Sequence, residues 1–330
     1  MYTKLFKAYR LTEQPDGRSR GQVVSTCISD LDDGDLVIKT AFAGVNYKDA
    51  LAGNGVAKVM QRLPCIGGIE AVGTVAMSKS TLFSIGDVVV VHGRGIGVSH
   101  DGGLSAYVRV PATWVIHVPP GLTMLEAATL GVAGHTAAVA IDLMEANGLT
   151  PECGPVAVTG ATGGVGSLAI DMLAGRGYEV VAVTRKGEAS DYLRMLGATR
   201  ILLMPNLTDL KKPLESPQWA GAIDATGGHV LAWLLSTMAP YGTIATFGNT
   251  AGIELKTTVL PFILRGVRLL GVVSNTDIPY RKIIWEREAA DLKPSHLSEI
   301  ANIIDFDQLP ALMDRMIAGT STGRNVVAFS

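Results

Sequence analysis

The sequence predicts an α/β protein in which a doubly wound parallel sheet is joined to a smaller β-barrel domain, and three observations predict it. Pro155 to Lys186 reads PVAVTGATGGVGSLAIDMLAGRGYEVVAVTRK, a glycine turn set between a buried apolar run and a helical pattern. Beyond it, short apolar runs alternate with helical stretches up to residue 273. Before it, residues 1 to about 120 hold short β-rich runs broken by glycines, prolines and charged turns, which is an all-β pattern.

In the first part the runs are Leu36–Ala41, Gly73–Ala76, Val88–His92, Tyr107–Val110 and Val115–Val118. Gly86-Asp87 forms a turn feeding a buried strand. Gly93–Gly103 (GRGIGVSHDGG) is too rich in glycine for regular structure and reads as a surface or active-site loop. At Thr123 the period becomes helical. Thr123 and Glu126, three apart, make a capping box ahead of MLEAATLG, and a second helix is expected from Gly134 to Asn147.

Strands are then expected at 155–159, 179–184, 200–204, Ala220–Ala225, Gly242–Phe247 and Arg268–Val273. Six strands with helices between them make a doubly wound sheet, and the turns AIDATGG and FGNTAG fall at its carboxyl edge, where ligands bind. The tail, from about 276, has an amphipathic stretch, IPYRKIIWEREAADL, and a final β-branched run, NVVAF, expected to return to the first domain. The domains are thus 1–122 with 276–330, and 123–275.

The turn after the first of these strands carries a Rossmann fingerprint. Ala161 stands in the first position of G-x-G-x-x-G, with Gly163 and Gly166 in the second and third. Glycines let the backbone approach a pyrophosphate, and the following helix turns free N–H groups and a positive dipole end toward it. An NAD site wants a carboxylate about 20 residues on. Here Thr184-Arg185-Lys186 stands at that place, a hydroxyl and two cations that suit a 2′-phosphate, so NADP(H) is the expected cofactor. Arg200, at the start of the next strand, is expected near the same adenosine end.

Composition narrows the function classes. A net charge of −2 and a pI near 6.3 offer no basic field for nucleic acid or an anionic membrane. Three scattered cysteines, Cys27, Cys65 and Cys153, form neither a disulfide framework nor a zinc motif, which points to a reducing compartment. No run of 18 uninterrupted apolar residues and no leader-like N-terminus is present, so a cytoplasmic protein is expected.

VNYKDAL (Val45–Leu51), LPCIGGIEAVGTV (Leu63–Val75), HDGGLSAYVRV, the TGATGGVG turn, PLESPQWAGAID and TTVLPFILRGVRLLGV recur along the whole chain. Together they resemble the medium-chain dehydrogenase/reductase superfamily, and within it the zinc-free YhdH/YhfP branch of quinone-oxidoreductase-like proteins that includes acrylyl-CoA reductases. The resemblance implies a GroES-like barrel beside the Rossmann domain. Zinc-dependent relatives carry a Cys where Asn46 or Tyr47 stands and Gly-His-Glu where this chain has Gly68-Ile69-Glu70. Ile69 cannot ligate a metal, and the six histidines show no paired ligand spacing, so no metal is expected. Gly67 and Glu70 depart from the branch, which more often has proline and aspartate there.

The resemblance implies NADPH-driven reduction of the C=C of an α,β-unsaturated acyl-CoA. A quinone or enone reductase is the alternative within the same chemistry, and a catalytically silent NADPH-binding sensor is the alternative of another class. Tyr47 is the implied residue for orienting the nicotinamide and supplying a proton. Asn46 is implied to hydrogen-bond the reacting carbonyl or the cofactor, whereas Asp49 reads as a helix-start residue. Cofactor contacts are implied at Tyr47, Thr162, Gly163, Gly164, Val165, Gly166, Thr184, Arg185, Lys186, Arg200, Asn249, Ile263, Ser274 and Arg324. Arg94, Arg281 and Lys282 are cations available to a CoA. The apolar run RLLGVVSN, as an outer strand, suggests a homodimer.

Overall fold

The runs Val156–Thr159 and Val180–Thr184 are buried along their whole length, as strands covered on both faces of a parallel sheet must be. In the computed structural model, which describes residues 3–204, 207 and 212–329, they lie at the centre of a six-stranded sheet. Its order is Arg200–Leu203, Val180–Thr184, Val156–Thr159, Trp219–Asp224, Met238–Thr246, Arg268–Gly271, and every pairing is parallel. The chain runs outward one way from Val156–Thr159 and then outward the other way. The order therefore reverses between Val156–Thr159 and Trp219–Asp224, the switch point at which such sheets open a ligand crevice. Ala157, Val181, Ala222, Leu234 and Ile244 belong to the apolar core beneath it.

The chain divides into two units. One comprises Met1–Ala133, Asn275–Trp285 and Ser298–Ser330; the other comprises Gly134–Ser274 and Glu286–Leu297. The first thus runs past the expected boundary at 122, and Glu286–Leu297, expected in the barrel domain, belongs with the nucleotide sheet.

In the first unit, Leu36–Val45 is the hub of a seven-stranded sheet, ordered Ala301–Asp305, Arg324–Ala328, Leu36–Val45, Glu70–Ser78, Val88–His92, Val115–His117, with Tyr107–Val110 also on the hub strand. The terminal strand returns as expected, pairing Asn325 with Val45 and Val327 with Ala43. A second sheet was not foreseen. It pairs Phe6–Glu13 with Ser19–Thr26 and with Cys65–Ile66. Lys7, Arg10 and the polar Ser19–Thr26 run conceal its apolar residues, of which Tyr9 and Leu11 are buried on one face and Ala8 on the other.

The expected capping box is present: Thr123 N–H donates to Glu126 Oε2 at 2.8 Å and Glu126 N–H to Thr123 Oγ1 at 3.2 Å. Both expected helices are present, as two segments of Met124–Ala146 broken at Gly131, whose φ of 47° and ψ of −142° are not helical. This helix is long and apolar enough to cross a membrane, yet 83% of its most apolar window is buried inside the protein, as in a core helix.

Candidate active site

Tyr47 opens a seven-residue helix, Tyr47–Gly53. That short helix is fixed from below by Asp49. Its Oδ2 accepts the Asn46 N–H at 2.8 Å, capping the helix, and its Oδ1 accepts the Ile69 N–H at 3.2 Å. Asp49 is a helix-start residue, as the sequence suggested. Burial, the largest influence, pushes its carboxyl up to about 6, with Glu70 adding to the rise and the Asn46 N–H opposing it. Tyr47 itself remains 38% exposed, its hydroxyl without a hydrogen bond among the described residues. It is available to a ligand.

Asn46 is not. Its Nδ2 donates to Glu70 Oε2 at 3.1 Å and its Oδ1 accepts from Arg324 Nη1 at 3.1 Å. Both ends of the amide are engaged by a buried ion pair, Glu70 Oε1 with Arg324 Nη2. The expected hydrogen bond from Asn46 to a reacting carbonyl is corrected accordingly: the Asn46 amide is spent on Glu70 and Arg324. Arg324 is corrected too. It is 2% exposed, and four of its five N–H donors go to Thr129 O, Val45 O, Asn46 and Glu70, so it is a buried structural cation rather than one open to a cofactor.

Glu70 also explains the kinked helix. Breaking the helix at Gly131 frees the Val132 N–H, which donates to Glu70 Oε2 at 2.7 Å. The carboxylate thus caps the second helical segment, where the dipole favours an anion. A Cβ on Gly131 would run into Glu70 and Arg324, so only glycine serves there. Sequence reasoning placed Glu70 only as a departure from a family pattern; its pairing with Arg324, 254 residues away, had no local signal.

In the second unit the fingerprint turn has the geometry its glycines promise, with one shift. Gly160, just before the motif's first position, makes the sharp turn at φ +59°, and Ala161 is accommodated. Gly163 is the N-cap of the helix Gly164–Gly175. A Cβ on Gly166 would strike the Gly160 carbonyl, so the third glycine sets how closely helix and turn pack. Thr162 is buried, while Gly163, Gly164 and Val165 are partly open at the helix start. A dinucleotide's pyrophosphate fits this cradle, because its N–H groups and open space are left by missing side chains.

The carboxyl edge is organised by a residue the sequence reading passed over. Asp224 is fully buried without a cation, its oxygens accepting from Thr159 Oγ1, Thr226 N and Oγ1, Gly227 N and Thr246 Oγ1. It ties together the ends of three adjacent strands. The turns that follow are crowded: a Cβ on Gly248 would meet the Ala225 carbonyl. Asn249 lies exposed in that turn and Ser274, half-buried, lies just past the last strand, both on the edge of the glycine turn.

Thr184 ends its strand and is buried, its Oγ1 accepting the Lys186 N–H at 3.0 Å, with Arg185 exposed beside it. Burial holds the Lys186 ammonium below its ordinary pKa. Arg200 lies elsewhere. It opens its strand opposite Val181, whereas Thr184 is opposite Leu203. Arg200 therefore sits at the amino edge, roughly 10 Å from the Thr184 end by strand rise, with its guanidinium 5.6 Å from the Trp219 ring centre. The expectation that it faces the adenosine is corrected. Ile263 is likewise apart: it is 68% exposed on Leu260–Arg265, a helix whose Arg265 is tied to carbonyls of Ser236 and Met238 near the amino end.

Among the described residues no group of three His, Cys, Asp or Glu side chains is placed to hold a metal. The histidines serve local contacts: His117 meets Asp87, His296 meets Asp171, and His92 accepts from Trp285 Nε1 at 3.1 Å.

Known proteins agree with this architecture. The family described as zinc-binding dehydrogenase matches residues 164–287, and the alcohol dehydrogenase GroES-like domain matches residues 32–120. YhfP of Bacillus subtilis, which carries a quinone oxidoreductase name, is 42% identical over 98% of each chain. Acrylyl-CoA reductase AcuI of Ruegeria pomeroyi is 40% identical over 96% of each. The crystal structure of the Salmonella enterica yhdH oxidoreductase in complex with NADP superposes with a TM-score of 0.94 at 39% identity, covering 98% of this chain and 100% of that one. The chain belongs to the medium-chain dehydrogenase/reductase family, in the branch that holds YhdH, YhfP and AcuI.

Proposed function

We propose that this oxidoreductase uses NADPH to reduce the C=C of an α,β-unsaturated acyl-CoA without zinc, acting in the cytoplasm as a homodimer. One observation carries the reaction class. Where zinc-dependent relatives have ligands, this chain has Asn46, whose amide is engaged by Glu70 and Arg324, and the aliphatic Ile69. With no metal ligand there to polarise a carbonyl, the favoured electrophile is an alkene already activated by its own carbonyl. NADPH, when bound, supplies a hydride to the β-carbon.

The chain's residues do the rest. The N-terminus of Gly164–Gly175 receives the pyrophosphate, and Thr184, Arg185 and Lys186 meet a 2′-phosphate that a carboxylate would repel. Asp224 holds the turns around the cofactor rigid. Tyr47, exposed and held by Asn46 and Asp49, orients the nicotinamide and supplies the proton that the α-carbon takes as the enolate collapses. The relative named for acrylyl-CoA reduction supports the thioester substrate, and the quinone oxidoreductase name of YhfP supports the alternative of a quinone or enone.

The homodimer reading rests on the sheet edge. Among the described residues Arg268–Gly271 pairs on one side only, and Val273, Leu264 and Tyr241 near it are 66%, 65% and 74% exposed. An apolar edge of this kind pairs with a second copy across a two-fold axis.

Steady-state NADPH oxidation with acrylyl-CoA, 1,4-benzoquinone and a simple enone tests the substrate. Preference in kcat/KM for acrylyl-CoA is expected. Equal or faster turnover of the quinone or enone would replace the thioester reading with the quinone one.

A further inference from the structure

Arg281 is a charge that the chemistry above leaves unused. Its guanidinium is fully buried, yet it forms no ion pair among the described residues. Nη1 donates to the His92 carbonyl at 2.6 Å, Nη2 to the Thr276 carbonyl at 3.0 Å and Asn275 Oδ1 at 3.4 Å, and Nε has no partner. Buried charges are ordinarily paired. Asp277, whose charge is felt by Arg281, accepts the Tyr280 N–H as a helix cap instead of pairing with it. Burial and the neighbouring charge of Arg94 bring the Arg281 pKa down to about 10.

Asn275 connects the two arginines. The Oδ1 that Arg281 approaches also accepts the Arg94 N–H at 2.9 Å. Arg94 is thereby held at φ +56°, between Gly93 at +71° and Gly95 at +94°. A left-handed arginine is strained, and such strain persists only where its surroundings enforce it, most often at functional sites. The Arg94 side chain is exposed and makes no ion pair among the described residues. Its position is set by strand register. His92, the last residue of its strand, is directly opposite Glu70, whose carboxylate holds Asn46, so Arg94 lies in the turn just past that pair. This is the end of the sheet that carries Tyr47.

We propose that Arg94 binds the phosphate oxygens of the substrate's nucleotide tail, positioned by the Arg281–Asn275 contact. The proposal deepens the thioester reading and rests on it. A guanidinium presents paired donors that match phosphate geometry, and the buried positive charge behind it, in no direct ion pair among the described residues, adds to the attraction for an anion. Arg281, being buried, is a positioning residue rather than a contact, which separates it from Arg94 and Lys282.

The test compares acrylyl-CoA with a neutral enone for Arg94→Gly and Arg94→Lys in the full-length protein. Glycine suits the positive φ, so Arg94→Gly keeps the fold and its melting temperature does not fall. Its KM for acrylyl-CoA is expected to rise about tenfold, the loss of one charged hydrogen-bonding group, with kcat and enone turnover unchanged. Free coenzyme A, inhibiting enone reduction in the parent protein, is expected to inhibit Arg94→Gly about tenfold more weakly. Arg94→Lys, keeping charge without the fork, falls between. An unchanged KM for acrylyl-CoA in Arg94→Gly, or equal losses with both substrates, overturns the role of Arg94 while the thioester reading stands. A parent protein that neither prefers acrylyl-CoA nor is inhibited by coenzyme A removes the thioester reading and this proposal with it.

Discussion

Asp49 shows how one buried carboxylate can couple stability and activity to pH. Its folded pKa, about 6, lies above the roughly 4 of an unfolded aspartate. The folded state therefore binds a proton in the window between those values that the unfolded state does not. This group's contribution to stability is greatest below the window and falls as pH rises through it. Against Asp49→Asn, the parent protein should gain up to about 3 kcal/mol as pH drops from above 6 to below 4, read by denaturant unfolding at each pH. Activity moves the other way. A protonated carboxyl accepts from only one of the Asn46 and Ile69 N–H groups, so kcat is expected to fall below about pH 6, an inflection absent from Asp49→Asn. Gly166→Ala is a second prediction at this scale. Its Cβ would meet backbone, the Gly160 carbonyl, which cannot turn aside. The variant should fold and bind NADPH at least about tenfold more weakly, an unmade interaction of more than 1.4 kcal/mol, measured by fluorescence titration. Unchanged affinity would show that the turn can widen.

At the scale of elements, the kinked helix and the short Tyr47 helix share one device. Each has an end capped by a buried carboxylate supplied from a distant part of the sequence or from its own first turn. The helix Met124–Ala146 also has its own cap, and Thr123→Ala should cost about 1 kcal/mol in stability with kinetics unchanged. The loop Thr184–Lys186 carries cofactor choice. Arg185→Ala combined with Lys186→Ala is expected to raise the NADPH KM about tenfold or more while leaving that for NADH nearly unaltered, since only the 2′-phosphate distinguishes them. Equal changes for both cofactors would move phosphate recognition away from this loop.

For the whole molecule, the buried Glu70–Arg324 pair fastens the C-terminal strand to Asn46 and to the kinked helix. Removing one partner strands the other charge, so Arg324→Met should cost about 3–5 kcal/mol. Activity should be lost beyond what the remaining folded fraction explains, as Asn46 and Tyr47 lose their hold. The free sheet edge makes the proposed dimer testable: the parent protein should scatter light as a dimer at micromolar concentration, and Val273→Lys should weaken it toward monomer. A monomeric parent would show that the edge is left unpaired.

The sequence by itself determined what depends on neighbours in the chain. The βαβ unit, its glycine turn, the Thr123 cap and the Thr184–Lys186 signature are set by periodicity, turn chemistry and backbone freedom within a few residues. It also determined the barrel runs with strong β-branched character, such as Val88–His92. Tertiary structure alone decided what depends on pairing. The Phe6–Thr26 hairpin declares itself only once its apolar face meets Cys65–Ile66 and the Tyr9 cluster. Arg200 faces the wrong edge because strand direction and register, not sequence distance, place a residue at one end of a sheet. Asn46 and Arg324 looked like two separate candidates, and Glu70 like a family departure. They act as one unit because a buried charge must find its partner wherever the fold brings one, even 254 residues away.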